Sequence, residues 1–126
     1  MGQSLVAGLL VPVASAFESK VLSIDTVKSA AARASPHILR TPLLPLEGGV
    51  HLKLESLQPT GSFKVRGFFA RALQLPPDRL RRGLVTVSAG NAAQACAYVA
   101  KELGVHCRVV MYDTAPAPKV EGVKRW

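Results

Sequence analysis

Two β-branched runs flank one amphipathic stretch in the carboxyl-terminal half of the chain, and this pattern limits the fold more than any other. "LVTVS" (Leu84 to Ser88) reads as a short strand. "NAAQACAYVAKELG" keeps Ala92, Ala95, Cys96, Val99 and Leu103 at helical spacing, with Gly104 placed to end the helix. "VHCRVVMYD" (Val105 to Asp113) reads as a second strand. Strand, helix and strand within about thirty residues make a βαβ unit, and a parallel pair of that kind needs a sheet buried by helices. The expected class is therefore α/β, an open, mostly parallel sheet with flanking helices.

The rest of the chain continues the alternation. "SIDTVKSAAARA" (Ser23 to Ala34) reads as a helix capped by Ser23 and closed before Pro36. "RTPLLPLEGG" (Arg40 to Gly49) is extended and turn-rich, and "VHLKLE" (Val50 to Glu55) alternates apolar and polar residues as a strand does. A helix follows from about Ser62 to Leu73, and the polar connector "LPPDRLRRG" leads into the βαβ unit. No internal repeat or low-complexity segment interrupts this order.

Composition narrows the function classes. The 126 residues are 48% hydrophobic and 19% charged, an ordinary globular balance. A net charge of +8 permits binding to nucleic acid or an anionic surface. The cations, however, are spread from Lys20 to Arg125, and the densest group is only "DRLRRG" (Asp78 to Gly83). No RNA-reading aromatic motif or zinc spacing accompanies them, so a solvated basic surface is expected, with neither nucleic acid nor metal as partner. Cys96 and Cys107 lie in apolar runs and read as two buried free thiols, which fits a reducing, cytoplasmic setting.

Residues 1–20 read as an N-terminal extension. Ala14-Ser15-Ala16 resembles a signal-peptidase site, but no Lys or Arg precedes Lys20. Gly2 suggests myristoylation, yet Val6 occupies the place of the required Ser or Thr. The apolar run is too short to span a bilayer, and no membrane partner is expected.

Two stretches carry chemistry. In "LQPTGSFKVRG" (Leu57 to Gly67), Gly61 is free to take a left-handed conformation and Ser62 is a strong N-cap type, which puts Lys64 in the first turn of a helix. The macrodipole there is positive and disfavours an ammonium group. Such a lysine is either incidental or one whose charge is lost in use. In "SAGNAAQA", Ser88-Ala89-Gly90-Asn91 lies where a strand ends and a helix begins, the usual ligand crevice of an open α/β sheet. Small residues leave the backbone N–H groups open and the helix end favours an anion, although Gly and Asn also serve turn geometry alone. Neither GxGxxG nor GxxxxGK occurs.

"KLESLQPTGSFKVRG" resembles the pyridoxal-phosphate lysine segment of the serine/threonine dehydratase family, whose fold is that of the tryptophan synthase β subunit (fold type II of the pyridoxal-phosphate enzymes). "SAGNAAQA" resembles the asparagine loop of the same family, "RTPL" (Arg40 to Leu43) precedes both as it does there, and "TAPAPKVEGVKRW" (Thr114 to Trp126) is similar to the family's Thr-Ala-Pro segment and following helix. The resemblance runs from about Ser23 to the last residue. It implies that Lys64 carries pyridoxal 5′-phosphate through a Schiff base and, once displaced, removes the substrate's Cα proton. It implies further that Phe63 packs beside the cofactor, that Asn91 binds its ring hydroxyl, and that backbone N–H groups of Ser88, Ala89, Gly90 and Asn91 bind the substrate carboxylate. The implied reaction is dehydration of L-threonine or L-serine to a 2-oxo acid and ammonia, in an enzyme expected to be a homo-oligomer.

Departures from the family pattern sharpen this. Ala89 stands where serine racemase has a serine that protonates the opposite face of Cα, which speaks for dehydration over racemase-type activity. Val65 argues against cysteine synthase and threonine synthase, which have aspartate after the lysine; Ala92 replaces the usual histidine, and Phe68 a small residue. Family enzymes are more than twice as long, and their glycine-rich phosphate loop has no counterpart in these 126 residues. The resemblance thus implies a truncated, N-terminal piece: residues 21–76 begin the large domain, and 77–126 begin the small one. An inactive fragment or pseudo-enzyme is the competing reading. Alone, the chain is expected to leave the phosphate to water and to cations such as Arg66, to hold the cofactor poorly, and to expose an unpaired sheet edge.

Overall fold

The computed structural model describes residues 22–126, so the reading of residues 1–20 lies outside the described residues. Helix α1 (Ile24–Ala34) starts as its sequence demands: Ser23 is extended, and its Oγ accepts the Thr26 N–H at 3.1 Å. Asp25 in the first turn and Arg33 in the last both suit the helix dipole. Pro36 then falls in a short 3₁₀ turn, Ser35–His37, that ends the helix.

Strands β1 (Leu43–Pro45) and β2 (His51–Lys53) form an antiparallel pair with Leu44 opposite Leu52. Part of the segment read as turn-rich is therefore a strand. The link closes with Leu46 N–H donating to Val50 O at 2.8 Å, across Gly48 and Gly49 at φ +69° and +77°. The alternation in "VHLKLE" predicts one buried face, yet every residue of both strands is exposed. Nothing among the described residues packs on this hairpin closely enough to cover it.

Helix α2 (Lys64–Ala72) begins later than its sequence suggests. Ser62 is not its N-cap; that place belongs to Phe63, whose side chain makes no cap bond. Ser62 Oγ accepts only the Lys64 N–H, at 3.4 Å, because the backbone has already turned helical at Phe63 (φ −66°, ψ −11°). A one-turn helix α3 (Pro77–Leu80) opens on a proline that needs no hydrogen-bond partner at that position.

The βαβ unit forms as expected. Strands β3 (Leu84–Val87) and β4 (Cys107–Val110) are parallel, with Thr86 opposite Val109, and α4 (Asn91–Glu102) crosses between them. Helix α4 is the centre of the molecule, burying Ala93, Ala95, Cys96, Ala97, Val99 and Ala100. Alanine on both sides lets α2 and the sheet approach it closely. Helix α5 (Ala117–Lys124) packs on it where Gly122 faces Gln94; a Cβ there would stand 3.3 Å from Gln94 Nε2.

The main apolar cluster joins Ala34, Val65, Phe69, Ala72, Ala95 and Val99, drawing on α1, α2 and α4. It spans the point near residue 76 that the sequence reads as a domain boundary. Phe69 is fully buried between the His37 ring, stacked at 4.9 Å, and the edge-on Tyr98 ring at 6.1 Å. Burying it contributes roughly 2–3 kcal/mol. By contrast Val85, Val87 and Val110 line an open face of the β3–β4 sheet, with Val87 79% exposed. One correction concerns the cysteines: Cys96 is buried, but Cys107 is exposed, because it opens β4 at the sheet edge between His106 and Arg108.

Candidate active site

Three short segments build the ground on which Lys64 stands. The chain leaving β2 turns through Glu55–Leu57, reverses at Gly61 (φ +68°) and enters α2 at Lys64. A polar network holds the reversal. Arg66 donates Nε to Glu55 Oε2 at 2.7 Å and Nη2 to Oε1 at 2.6 Å, and the buried Thr41 hydroxyl donates to the same Oε1 at 2.6 Å. Buried Gln58 bonds both backbone groups of Leu39: its Nε2 donates to Leu39 O at 2.8 Å, and its Oε1 accepts the Leu39 N–H at 3.2 Å. Hydrogen bonds from Arg66 first, and from Thr41 and Gln58, hold the Glu55 carboxyl down at about 2 despite its burial.

The sequence reading missed this network. Its signal was present in the polar residues Glu55, Gln58 and Arg66 in and after the Leu54–Leu57 turn, but their partners Leu39 and Thr41 lie more than ten residues away. One expectation changes as a result. Arg66 is paired with Glu55 through Nε and Nη2, so it is not an unpaired cation waiting for a phosphate group.

Lys64 itself is exposed at the first turn of α2. Among the described residues its Nζ has no carboxylate or carbonyl partner; it lies 4.8 Å from the centroid of the Phe63 ring, which is 57% exposed. Phe63, Lys64, Arg66, Gly67, Phe68 and Arg71 line an open cleft of about 420 Å³ beside it. Phe68, a departure from the family pattern, is thus a wall of this cleft.

The Ser88–Asn91 loop lies at the carboxyl end of β3 and the start of α4. Ser88 N–H continues the ladder to Val110 O at 3.0 Å, and its Oγ accepts the Gly90 N–H at 3.1 Å. Among the described residues, the N–H groups of Ala89, Asn91 and Ala92 have no acceptor. The structure brings Phe63 and Lys64 together in one cleft, while Ser88, Ala89, Gly90 and Asn91 stand on a separate helix start and line none of it. The two helices that begin at Lys64 and Asn91 pack against each other through Val65, Phe69, Ala95 and Val99.

A family model described as pyridoxal-phosphate dependent enzyme matches residues 34–126. The chain belongs to the pyridoxal-phosphate dependent enzyme family. It is 38% identical over 112 residues to the catabolic L-threonine dehydratase of Staphylococcus aureus strain USA300, an alignment covering 82% of this chain and 32% of the relative. Among solved structures it is similar to maize serine racemase, with 35% identity and a TM-score of 0.77 over 82% of this chain and 33% of that one. It is also similar to the processed form of threonine deaminase isoform 2 from Solanum lycopersicum, at 28% identity and a TM-score of 0.73 over 80% and 30% of the two chains. The chain spans about a third of the length of the curated relatives it matches. Its fold is fold type II of the pyridoxal-phosphate enzymes.

The residues present suit the aldehyde end of the family's cofactor. An amine without a polar partner among the described residues, an exposed aromatic ring beside it and an open cleft are the groups that a carbonyl-bearing aromatic ligand needs. No helix of the described residues is long and apolar enough to cross a membrane.

Proposed function

We propose that this chain contributes the lysine segment and the carboxylate loop of an ammonia-lyase that dehydrates L-threonine or L-serine to a 2-oxo acid and ammonia. One observation carries the reading: in a chain of this family, Lys64 Nζ stands open beside Phe63, without a polar partner among the described residues. Pyridoxal phosphate, when bound, supplies an aldehyde that condenses with an amine and a conjugated ring that stabilises negative charge at Cα. Lys64 holds the group and, when freed, takes the Cα proton of the amino acid on Nζ. The unpartnered N–H groups around Ala89 and Asn91 bind the carboxylate at a positive helix end, and the Asn91 side chain binds the cofactor's ring hydroxyl. Phe63 supplies apolar surface beside the ring. Water then leaves across Cα–Cβ, and hydrolysis yields the 2-oxo acid. Ala89 offers no hydroxyl to return a proton to Cα from the other side, so dehydration is favoured over racemisation.

The division into a large-domain piece (21–76) and a small-domain piece (77–126) belongs to this proposal, as do a homo-oligomeric state and a cytoplasmic setting. A second reading, an inactive piece of the same family, is supported by the open valine face of β3 and β4 and by the exposure of Lys64. Borohydride reduction in the presence of pyridoxal phosphate, followed by peptide mapping and a 2-oxo acid assay with L-threonine and L-serine, separates the two. A label on Lys64 with product supports the lyase; a label without product supports the inactive piece. A label on a different lysine overturns the assignment of Lys64.

A further inference from the structure

The two cysteines come from different elements yet meet. Cys107 opens β4 and Cys96 sits in the middle of α4, and their sulfurs lie 3.6 Å apart. Their environments differ sharply. Cys96 is fully buried within the α4 packing, whereas Cys107 is exposed. A cleft of about 530 Å³, lined by Arg82, Gly83, His106 and Arg108, opens at Cys107 and gives a small solute a route to its sulfur. Closing a disulfide requires the sulfurs to approach by roughly 1.5 Å.

We infer that Cys96 and Cys107 form a peroxide-responsive dithiol, in which Cys107 is oxidised first and Cys96 then closes an intrachain disulfide between α4 and β4. The oxidant is a peroxide. The Cys107 sulfur attacks one peroxide oxygen; an S–O bond forms, the O–O bond breaks, and the departing hydroxide leaves as water with the thiol proton. The Cys96 sulfur then attacks the Cys107 sulfur; the S–S bond forms, the S–O bond breaks, and hydroxide leaves with the Cys96 proton as a second water. Both sulfurs are oxidised by one electron each, and the peroxide is reduced to two waters. Cys96 is the poor first target because it is fully buried, which with the Cys107 thiol pushes its own thiol up to about 12; its place 3.6 Å from Cys107 Sγ makes it the resolving partner.

The test treats the purified chain with one equivalent of hydrogen peroxide. Lys101 lies between the cysteines, so trypsin separates peptide Gly83–Lys101 from peptide Glu102–Arg108 unless a disulfide joins them. The expected result is loss of both free thiols, a mass decrease of about 2 Da, a joined pair of these peptides, and full reversal by dithiothreitol. In Cys96→Ser, dimedone should label Cys107 under conditions that leave the parent unlabelled. A Cys107–Cys107 link between two chains, or Cys107 carried to sulfinic acid with Cys96 still free, overturns the inference.

Discussion

Arg66 and Glu55 meet side by side, Nε to Oε2 at 2.7 Å and Nη2 to Oε1 at 2.6 Å, two residues from the lysine on which the chemistry is proposed to rest. The pair is tied in turn to Thr41 and, through Arg66 Nη2 at 3.3 Å, to the Leu39 carbonyl. Three segments distant in sequence thereby set the direction in which α2 leaves its first turn. Because the Arg66 side chain is 36% exposed, solvent screening reduces the worth of the ion pair, and its bidentate geometry is the larger part of its value. Arg66→Lys keeps the charge and loses the fork. It should lower stability by about 1 kcal/mol, read as a fall in the urea midpoint at unchanged slope.

Acid should loosen the same knot. Glu55 is held at about 2 in the folded chain against an ordinary 4.5, so the unfolded chain binds the extra proton first. The stabilisation is complete above about pH 4.5 and is lost as pH falls from there toward 2. Its size is roughly 2 kcal/mol after allowance for the partly exposed partner. Urea titrations at pH 6 and pH 3 should show a larger loss in the parent than in Glu55→Gln; equal losses would count against the assignment.

Lys64 should be dispensable for folding. It is exposed and touches only the Phe63 ring among polar or aromatic partners described. Lys64→Ala is expected to change stability by no more than about 0.5 kcal/mol while abolishing borohydride labelling at this position and any 2-oxo acid formation. Parallel unfolding and labelling measurements separate these effects.

Phe69 should be the costliest single truncation. It has no exposed surface and bridges His37 and Tyr98. Phe69→Ala is expected to cost about 3–5 kcal/mol, enough to unfold much of a chain this small, and Phe69→Leu much less. Far-ultraviolet circular dichroism against urea is the measurement.

Two glycines offer a contrast. Gly61 (φ +68°) has open space where a Cβ would stand, so Gly61→Ala should cost only the conformational strain, about 1 kcal/mol. Gly83 (φ +92°) precedes β3, and a Cβ there would lie 2.5 Å from the His106 carbonyl oxygen, the acceptor of the Leu84 N–H. Gly83→Ala should cost at least twice as much, since a backbone group must move and the β3–β4 ladder with it. Unfolding midpoints of the two variants decide the order.

Local rules made α1, α4 and the parallel pairing of β3 with β4 legible in the amino-acid order alone. Ser23 offers a cap, the alanines of α4 keep a helical period, and a helical crossover of that length is what a parallel pair needs. The positions of Lys64 at the start of α2 and of Ser88–Asn91 between β3 and α4 were legible for the same reason, since immediate neighbours set them. What the order of residues could not decide is which side chains lie beside one another across long separations. The start of α2 moved to Lys64, Arg66 was claimed by Glu55, and Gln58 turned inward to Leu39, each through a partner distant in sequence. Cys107 opened to solvent although its run is apolar, because among the described residues the strand it begins is flanked on one side only. Capping and periodicity act over one or two turns of chain; burial and charge pairing are settled only when the segments pack.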